Sequence, residues 1–257
     1  MLREEDIIIG IYCTICEGLK EADRRHEQGR LWLSELVLCG VLWALKGGSF
    51  LSFYRWLSRR ELFVSLPERS RLHRLLKEHR AATDVFLAEA SFFNVIDTFG
   101  VEIIHPAREN RSAQSAVICG KGKSNHRWIV GRKICVRIND TGRIVAYDDD
   151  RANVCDKIFN SLAADDTSIT LADFNFRDKD GIPPTMKICP RGSWNDRITV
   201  EDVFSLWTLV CHAKRFFVRS VKAFKTRVSY LVALTNLAFH LNETLGFPPN
   251  TLAHFSL

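Results

Sequence analysis

The chain has 257 residues, of which 46% are hydrophobic, and its formal net charge is +6. This composition predicts a globular protein of one or two domains and excludes a disordered chain, while the basic excess is compatible with a polyanionic partner. The N-terminus, "MLREEDIII", has acidic residues where a secretory signal has only basic ones, and the longest apolar run (residues 31–45) is too short to cross a bilayer, which predicts a soluble, intracellular protein.

Residues 1–90 show the apolar periodicity of helices. One helix is predicted over residues 31–45, ending at Gly47-Gly48, and a second follows it. A third is predicted over residues 67–80, with Arg71, Arg74 and Lys77 on the face opposite its leucines. A helix, a short turn and a basic helix is the layout of a helix-turn-helix DNA reader, but an ordinary three-helix subdomain with a solvated basic face explains the pattern equally well.

The pattern changes near residue 91. A strand is predicted over residues 93–104, a polar stretch over 105–127, and a hairpin around "NDTG" (residues 139–142). A short helix (153–163), a strand (167–173) and helical spacing from residue 196 almost to Gly246 complete the order. This succession predicts a mixed α/β layer domain over residues 91–257, preceded by an all-α domain over residues 1–90.

Three acidic residues lie in or beside apolar segments, where a carboxylate costs free energy unless something pairs with it. Asp97 lies inside an apolar strand, Asp173 ends the strand that follows the hairpin, and Glu201 lies at the edge of an apolar helical stripe. Taken singly, Asp173 is explained by a strand-end turn and Glu201 by a surface pair with Arg197. "DDD" (residues 148–150) is a rival source of ligands, but aspartates in that position are more typical of a solvated turn.

Carboxylates that converge would repel one another unless a cation lies between them. Hard oxygen ligands suit Mg²⁺ or Mn²⁺, and two such ions form the clamp used for in-line phosphodiester chemistry. We therefore expect Asp97, Asp173 and Glu201 to be both the metal ligands and the catalytic residues of a two-ion site.

The chain resembles the DDE transposases of bacterial insertion sequences in a set of ordered motifs. These are "VIDTFGVEI", "GRIVAYDDDRANVCDKIF", "TLADFNF" and "RITVEDVFSLW", preceded by a leader with "LSELVLCGVLWALKGGSFLSFYRWL" and "LPERSRLHRLL". The resemblance implies an RNase H-like catalytic domain, with the family's metal triad at Asp97, Asp173 and Glu201. It also implies binding to double-stranded DNA at element ends and target, a homodimer on that DNA, and a location with the bacterial nucleoid.

The sequence departs from the family in two places. Phe174, Asn175 and Phe176 follow the second acid, where the family usually has a lysine or glycine and a tyrosine. In the signature Tyr-x2-Arg-x3-Glu-x6-Lys, Trp194 replaces the tyrosine, Arg197 and Glu201 match, and Thr208 stands where the lysine would be. The resemblance implies that Trp194 and Arg197 contact DNA near the cleaved end.

Two further groups of basic residues are predicted to contact the DNA backbone. The first lies in the polar stretch, where a solvated loop is the competing explanation, and comprises Arg108, Arg111, Lys121, Lys123 and Arg127. The second is predicted to line one face of a helix, and would extend away from the acids if that helix were continuous with the one that carries Glu201; it comprises His212, Arg215, Arg219 and Lys222.

The sequence therefore predicts a cut-and-paste transposase that frees a 3′-hydroxyl and joins it to target DNA. Two alternatives remain open at this point. One is a decayed or domesticated copy that binds DNA without cutting it, and the other is a metal-dependent nuclease without strand transfer.

Overall fold

The computed structural model describes residues 3–25, 29–111, 117–124, 127–164, 167–190, 198–251 and 255. The chain divides into two units. Unit 1 comprises Met1–Leu87, Trp207–Ala213 and Ser220–Leu257, and unit 2 comprises Ala88–Leu206 and Lys214–Arg219. The first division lies close to the boundary expected at residue 90, but the C-terminal helix belongs to unit 1 and not to the unit that contains the sheet.

The described residues form six α-helices and six strands. The helices are α1 (Glu4–Leu19), α2 (Leu33–Lys46), α3 (Phe50–Ser58), α4 (Arg69–Glu78), α5 (Ile198–Leu209) and α6 (Val221–Thr244). The strands are β1 (Phe93–Ile104), β2 (Gly120–Ser124), β3 (Arg127–Asn139), β4 (Ile144–Arg151), β5 (Ile169–Ala172) and β6 (Met186–Ile188). The mixed α/β class is thus confirmed.

Unit 1 is built around α6, which is buried along almost its whole length. Helices α1, α2 and α4 pack against it, and its buried polar residues include Arg227, Thr235 and Asn236. Gly40 of α2 allows a close approach to α6, because a Cβ at this position would lie 2.2 Å from the ring of Tyr230. Trp207 closes the packing with a hydrogen bond from its indole N–H to Oγ1 of Thr235 at 2.8 Å.

The helices predicted in the N-terminal part are confirmed, but their connection differs from the expected one. Helix α2 ends at Gly47, whose φ of 67° is the left-handed conformation that glycine adopts without strain. The ten residues 59–68 separate α3 from basic helix α4. The predicted short turn of a helix-turn-helix reader is therefore wrong, because such a turn has about three or four residues.

Unit 2 contains the mixed sheet. Strands β1, β3 and β4 pair in antiparallel order, β2 also pairs with β3, and β5 and β6 continue the sheet beyond β1 in parallel. Central strand β1 therefore lies between β3 and β5. Directly paired residues share a face of the sheet, so Ile96 and Cys135 lie on the face covered by the 3₁₀ helix Asp156–Ala163, and Asp97 and Phe99 lie on the other face.

Strand β1 has its predicted extent, β3 and β4 form the predicted hairpin, and Gly142 turns this hairpin with φ of 81°. The polar stretch differs from the prediction of a loop, because Lys121 and Lys123 lie on β2. Strand β2 runs close to residue 152: a Cβ at Gly122 would lie 1.9 Å from the carbonyl oxygen of Ala152. This close approach therefore requires glycine at position 122. Because glycine has a low strand propensity, the sequence does not indicate a strand here.

The "DDD" stretch also differs from the predicted turn, because Asp148, Asp149 and Asp150 all lie within β4. Their side chains alternate between the two faces of the sheet. Asp149 is buried and accepts a hydrogen bond from Nε of Arg132 at 2.6 Å, while Asp148 is exposed. A buried carboxylate of this kind needs its partner, which explains why an aspartate is tolerated inside the strand.

The helix that carries Glu201 does not continue to the second group of basic residues. Helix α5 ends at Leu209 and α6 begins at Val221, where the Ser220 hydroxyl accepts a hydrogen bond from the N–H of Ala223 at 3.1 Å. Between them, His212 has a left-handed φ of 52°, which is incompatible with helix continuation. Consequently His212, Arg215, Arg219 and Lys222 do not line one helix face.

No single helix of the described residues is long and apolar enough to cross a membrane. Helices α2 and α3 meet the length and composition requirement only as a pair, and this pair is bent by 118°.

We predict that Asp149→Ala lowers the free energy of unfolding by about 3 kcal/mol, because it leaves the buried Arg132 guanidinium without its carboxylate. Asp148→Ala removes an exposed carboxylate from the same strand and should cost less than about 0.5 kcal/mol. Urea unfolding followed by circular dichroism measures both values. Equal losses in the two variants would contradict the importance of the buried pair.

Candidate active site at the central strand

Asp97 lies on β1 at the point where one neighbouring strand ends. The pairing of β1 with β5 covers four positions and stops at Ile96, opposite Ala172. On the same edge of β1, Glu102 bonds to the segment 214–216: its N–H donates to the carbonyl of Lys214, and its carbonyl accepts from Phe216, both at 2.9 Å. The stretch 97–101 lies between these two pairings, and we call its β5-side edge the notch.

The position of Asp97 at the notch explains how a carboxylate is tolerated in an apolar strand. The residue is half-buried, whereas Ile96 and Phe99 beside it are buried. Its Oδ1 accepts a hydrogen bond from the backbone N–H of Thr98 at 2.7 Å. Asp97 thus keeps access to solvent while its backbone is fixed by β3, where it pairs with Val136.

Asp173 follows β5 directly and is brought next to Asp97 by the strand register. Val95 pairs with Leu171 and Ile96 with Ala172, so the next positions along the two parallel strands are Asp97 and Asp173. Neighbouring strands lie about 4.8 Å apart, which puts both acids on one face at adjacent positions. Ligand sites of parallel sheets form at such carboxyl ends of strands.

The carboxylate of Asp173 is oriented by the residue that departs from the family pattern. Its Oδ1 accepts from the backbone N–H of Asn175, and its Oδ2 from the Asn175 side-chain amide, both at 2.9 Å. Asp173 thereby caps the short 3₁₀ helix Phe174–Phe176. The strand-end turn considered from the sequence is therefore present, and it holds the carboxylate beside Asp97 in a defined orientation.

Glu201 is exposed on α5, and an aromatic contact anchors this part of the helix to β1. The rings of Phe204 and Phe99 have centroids 5.2 Å apart. Phe204 lies three residues after Glu201, so the two share a helix face, and Phe99 lies two residues after Asp97 on the same face of β1. Phe204 is therefore held against the strand face that carries Asp97, with Glu201 exposed one turn earlier in the helix.

The three acids do not form a closed ligand group. Among the residues that the structure describes, no group of three or more His, Cys, Asp or Glu side chains is arranged to hold a metal ion. The chemistry of the donor set nevertheless fits a hard divalent cation, since all three side chains offer carboxylate oxygens. Carboxylates also repel one another when no cation balances their charge, which favours an open arrangement.

The Cys135 thiol lies on the face of the sheet opposite Asp97, among the core residues. Burial raises its pKa well above its usual value, the charges of Asp97, Asp156 and Asp148 raise it further, and the charge of Lys133 lowers it. Cys135 pairs with Thr98, the residue next to Asp97, so the charge of Asp97 acts on the thiol across the strand.

Lys214 is a residue that the sequence did not indicate as part of the site. Its ammonium lies 4.9 Å from the centroid of the Phe99 ring. Burial lowers the pKa of Lys214, and the positive charge of Arg127 lowers it further, so the two cations lie near each other. The segment 214–216, which is bonded to β1, thus supplies a cation over Phe99, a residue that lies two positions after Asp97 on the same strand face.

The other basic residues of unit 2 are partly neutralised. Lys121 pairs with Glu109 at 2.9 Å, and Arg215 pairs with Glu102 at 3.6 Å. Lys123, Arg127, Arg108 and Arg219 are exposed. Trp194 and Arg197 lie outside the described residues, as does the side chain of Arg111.

The basic residues of unit 1 divide between two helices and one connection. Arg71 and Arg74 are exposed on α4, and Nε of Arg74 lies 3.7 Å from a carboxylate oxygen of Glu78. Lys77 is half-buried, and its pKa is lowered first by burial and then by the charge of Lys222 on α6. Lys77 and Lys222 thus form a like-charged pair, while His212 is exposed in the connection before α6.

Comparison with protein-family models, with curated proteins and with solved structures gives no significant match to this chain.

Proposed function

We propose that this chain is a metal-dependent DNA transposase with an RNase H-like catalytic domain, in which Asp97, Asp173 and Glu201 hold two Mg²⁺ or Mn²⁺ ions. The observation that carries the proposal is the register of β1 and β5, which puts Asp97 and Asp173 side by side where the parallel pairing ends. The Phe99–Phe204 contact supports the third ligand, because it holds Phe204, one turn after Glu201 in α5, against the same strand.

The proposed reaction has two steps at one site. In the first, a water oxygen attacks the phosphorus of a phosphodiester at the element end, and the P–O3′ bond breaks to leave a 3′-hydroxyl and a 5′-phosphate. In the second, this 3′-hydroxyl loses its proton and attacks a phosphodiester of the target DNA, whose own P–O3′ bond breaks. The bound divalent ions would activate the attacking oxygen and balance the charge on the leaving oxygen.

The protein contributes position and charge to this chemistry. The backbone of Asp97 is fixed by β3 and the carboxylate of Asp173 by Asn175, so both acids are positioned before a metal ion or DNA binds. Lys214 and Arg127 are suited to bind the phosphate that approaches the acids, since its charge would otherwise be repelled. Double-stranded DNA at element ends and target is the proposed partner, with a homodimer assembled on it.

We predict that Asp97→Asn and Asp173→Asn each weaken Mn²⁺ binding by at least about tenfold, because fewer charged ligands lower the affinity for hard cations. Electron paramagnetic resonance of free Mn²⁺ measures the dissociation constant. Asp148→Asn, at an exposed position of β4, is the matched control and should bind Mn²⁺ as the wild type does. Unchanged Mn²⁺ binding by both site variants would show that the metal does not bind at this part of the sheet.

We predict that Asp97→Asn, Asp173→Asn and Glu201→Gln abolish DNA cleavage without abolishing DNA binding. The substrate is a supercoiled plasmid that carries the coding segment with its flanking DNA, incubated with Mg²⁺, and nicks are mapped by primer extension. Binding is measured by gel shift in Ca²⁺, which binds oxygen ligands with longer and looser geometry. Wild-type cleavage by any one of these variants would exclude that residue, and cleavage in EDTA would exclude the metal.

We predict that Lys214→Ala lowers the cleavage rate by at least tenfold and lowers the log–log salt slope of duplex binding by about 0.9, the value of one phosphate contact. Lys214→Met keeps an apolar chain on Phe99 and should preserve the melting temperature but not the rate. Lys179→Ala, at an exposed position of unit 2, is the charge-matched control. A normal rate and slope for Lys214→Met would mean that Lys214 only packs on Phe99.

A further inference from the structure

Unit 1 contains a groove that the proposed catalytic site does not use. The groove has a volume of about 230 Å³ and lies between the start of α2 and one face of α4. Its lining includes Arg24, Arg30, Trp32, Arg71 and Arg74, and its apolar floor includes Leu36. We call it the arginine groove.

One wall of the arginine groove is fixed by backbone bonds before α2. Arg25 and Trp32 form an antiparallel bridge, and the N–H of Leu33 donates to the carbonyl of Arg24 at 3.2 Å. The Asp23 carboxylate accepts from the N–H of Ser34 at 2.9 Å, which satisfies a free donor in the first turn of α2. Trp32 is thereby held with 45% of its surface exposed.

The opposite wall is the exposed face of α4. Arg71 and Arg74 lie three residues apart, so their side chains emerge from the same face of the helix. Leu72 and Leu76 on the other face are buried, which fixes the rotation of α4 and keeps both arginines toward solvent.

The chemistry of the lining is selective. Four guanidinium groups and one carboxylate, that of Glu78, line the groove, so its field attracts anions. Guanidinium forks match the paired oxygens of phosphate, and both guanidinium and indole surfaces stack on flat aromatic rings. An apolar floor, an exposed indole and a rim of arginines suit a planar base with its attached phosphate.

We infer that the arginine groove binds an unpaired nucleotide of single-stranded DNA, with the base against Trp32 and the flanking phosphates on the arginines. The groove is smaller than the roughly 300–1,000 Å³ of common small-molecule pockets, so it holds one base and not a duplex. A base reaches such a cavity only from a single strand or after leaving the stack. This inference rests on the proposed DNA partner, but it does not depend on cleavage.

The test is the binding of a fluorescent (dT)15 strand to the full chain, measured by anisotropy at fixed salt. Trp32→Leu should weaken (dT)15 binding by about tenfold, since base stacking is worth about 1–3 kcal/mol. Binding of a blunt 15-base-pair duplex should change by less than twofold. Trp32→Tyr, which keeps an aromatic face, should restore most of the affinity.

Two controls make the result specific to the groove. Trp128→Leu removes another exposed tryptophan, in unit 2, and Arg59→Ala removes an exposed arginine of unit 1 outside the groove. Arg24→Ala and Arg71→Ala should each lower the salt slope for (dT)15 by about 0.7, whereas Arg59→Ala should leave it unchanged. Equal effects of the groove and control variants would overturn the inference.

Further outcomes separate this inference from the proposed function. If (dT)15 binding depends on Trp32 while the acid-site variants cleave normally, the catalytic proposal fails and the groove stands. If the acid-site variants lose cleavage while Trp32→Leu binds (dT)15 normally, the groove inference fails alone. Poly-glutamate binding as tight as (dT)15 binding, with the same dependence on Trp32, would also overturn it, because the groove would then recognise charge on a peptide.

Discussion

The structure of the candidate site depends on a four-residue parallel pairing between β1 and β5. Its register fixes Asp97 opposite the position of Asp173, and its end at Ile96 and Ala172 opens the edge of β1 at those acids. A shift of the register by one residue would move every side chain of β5 to the other face of the sheet and separate the two carboxylates.

Two aromatic contacts of Phe99 complete the arrangement around that pairing. Phe204 packs on its ring from α5, and the Lys214 ammonium lies near the same ring. One buried side chain of β1 thus positions both a helix with a third acid and a cation for an incoming phosphate. Asp97 offers negative charge for a cation, and Lys214, over the Phe99 ring, offers positive charge for a phosphate.

The sequence predicts those parts of the fold in which local pattern and tertiary environment agree. Strand β1 has its predicted bounds because its β-branched residues are buried, and α2 ends at Gly47 as expected. Strand β2 was missed because Gly122 is selected by a close approach to Ala152, which no local pattern reveals. The break after α5 was missed because the apolar helical periodicity of the sequence continues through it. The sequence does not show that the segment 214–216 bonds to β1. That Asp97 lies on a strand and Asp173 directly after one was predictable from the apolar patterns, but the contact of Lys214 with Phe99 was not.

The most direct test of the central claim is affinity cleavage of the polypeptide by Fe²⁺ bound in place of Mg²⁺. In ascorbate and peroxide, radicals formed at the bound ion cut the nearby backbone, and mass spectrometry locates the cuts. The account predicts cuts next to Asp97, Asp173 and Glu201, all suppressed by excess Mg²⁺ and absent in Asp97→Asn. Cuts confined to Asp148–Asp150 of β4, or unaffected by Asp97→Asn, would contradict it.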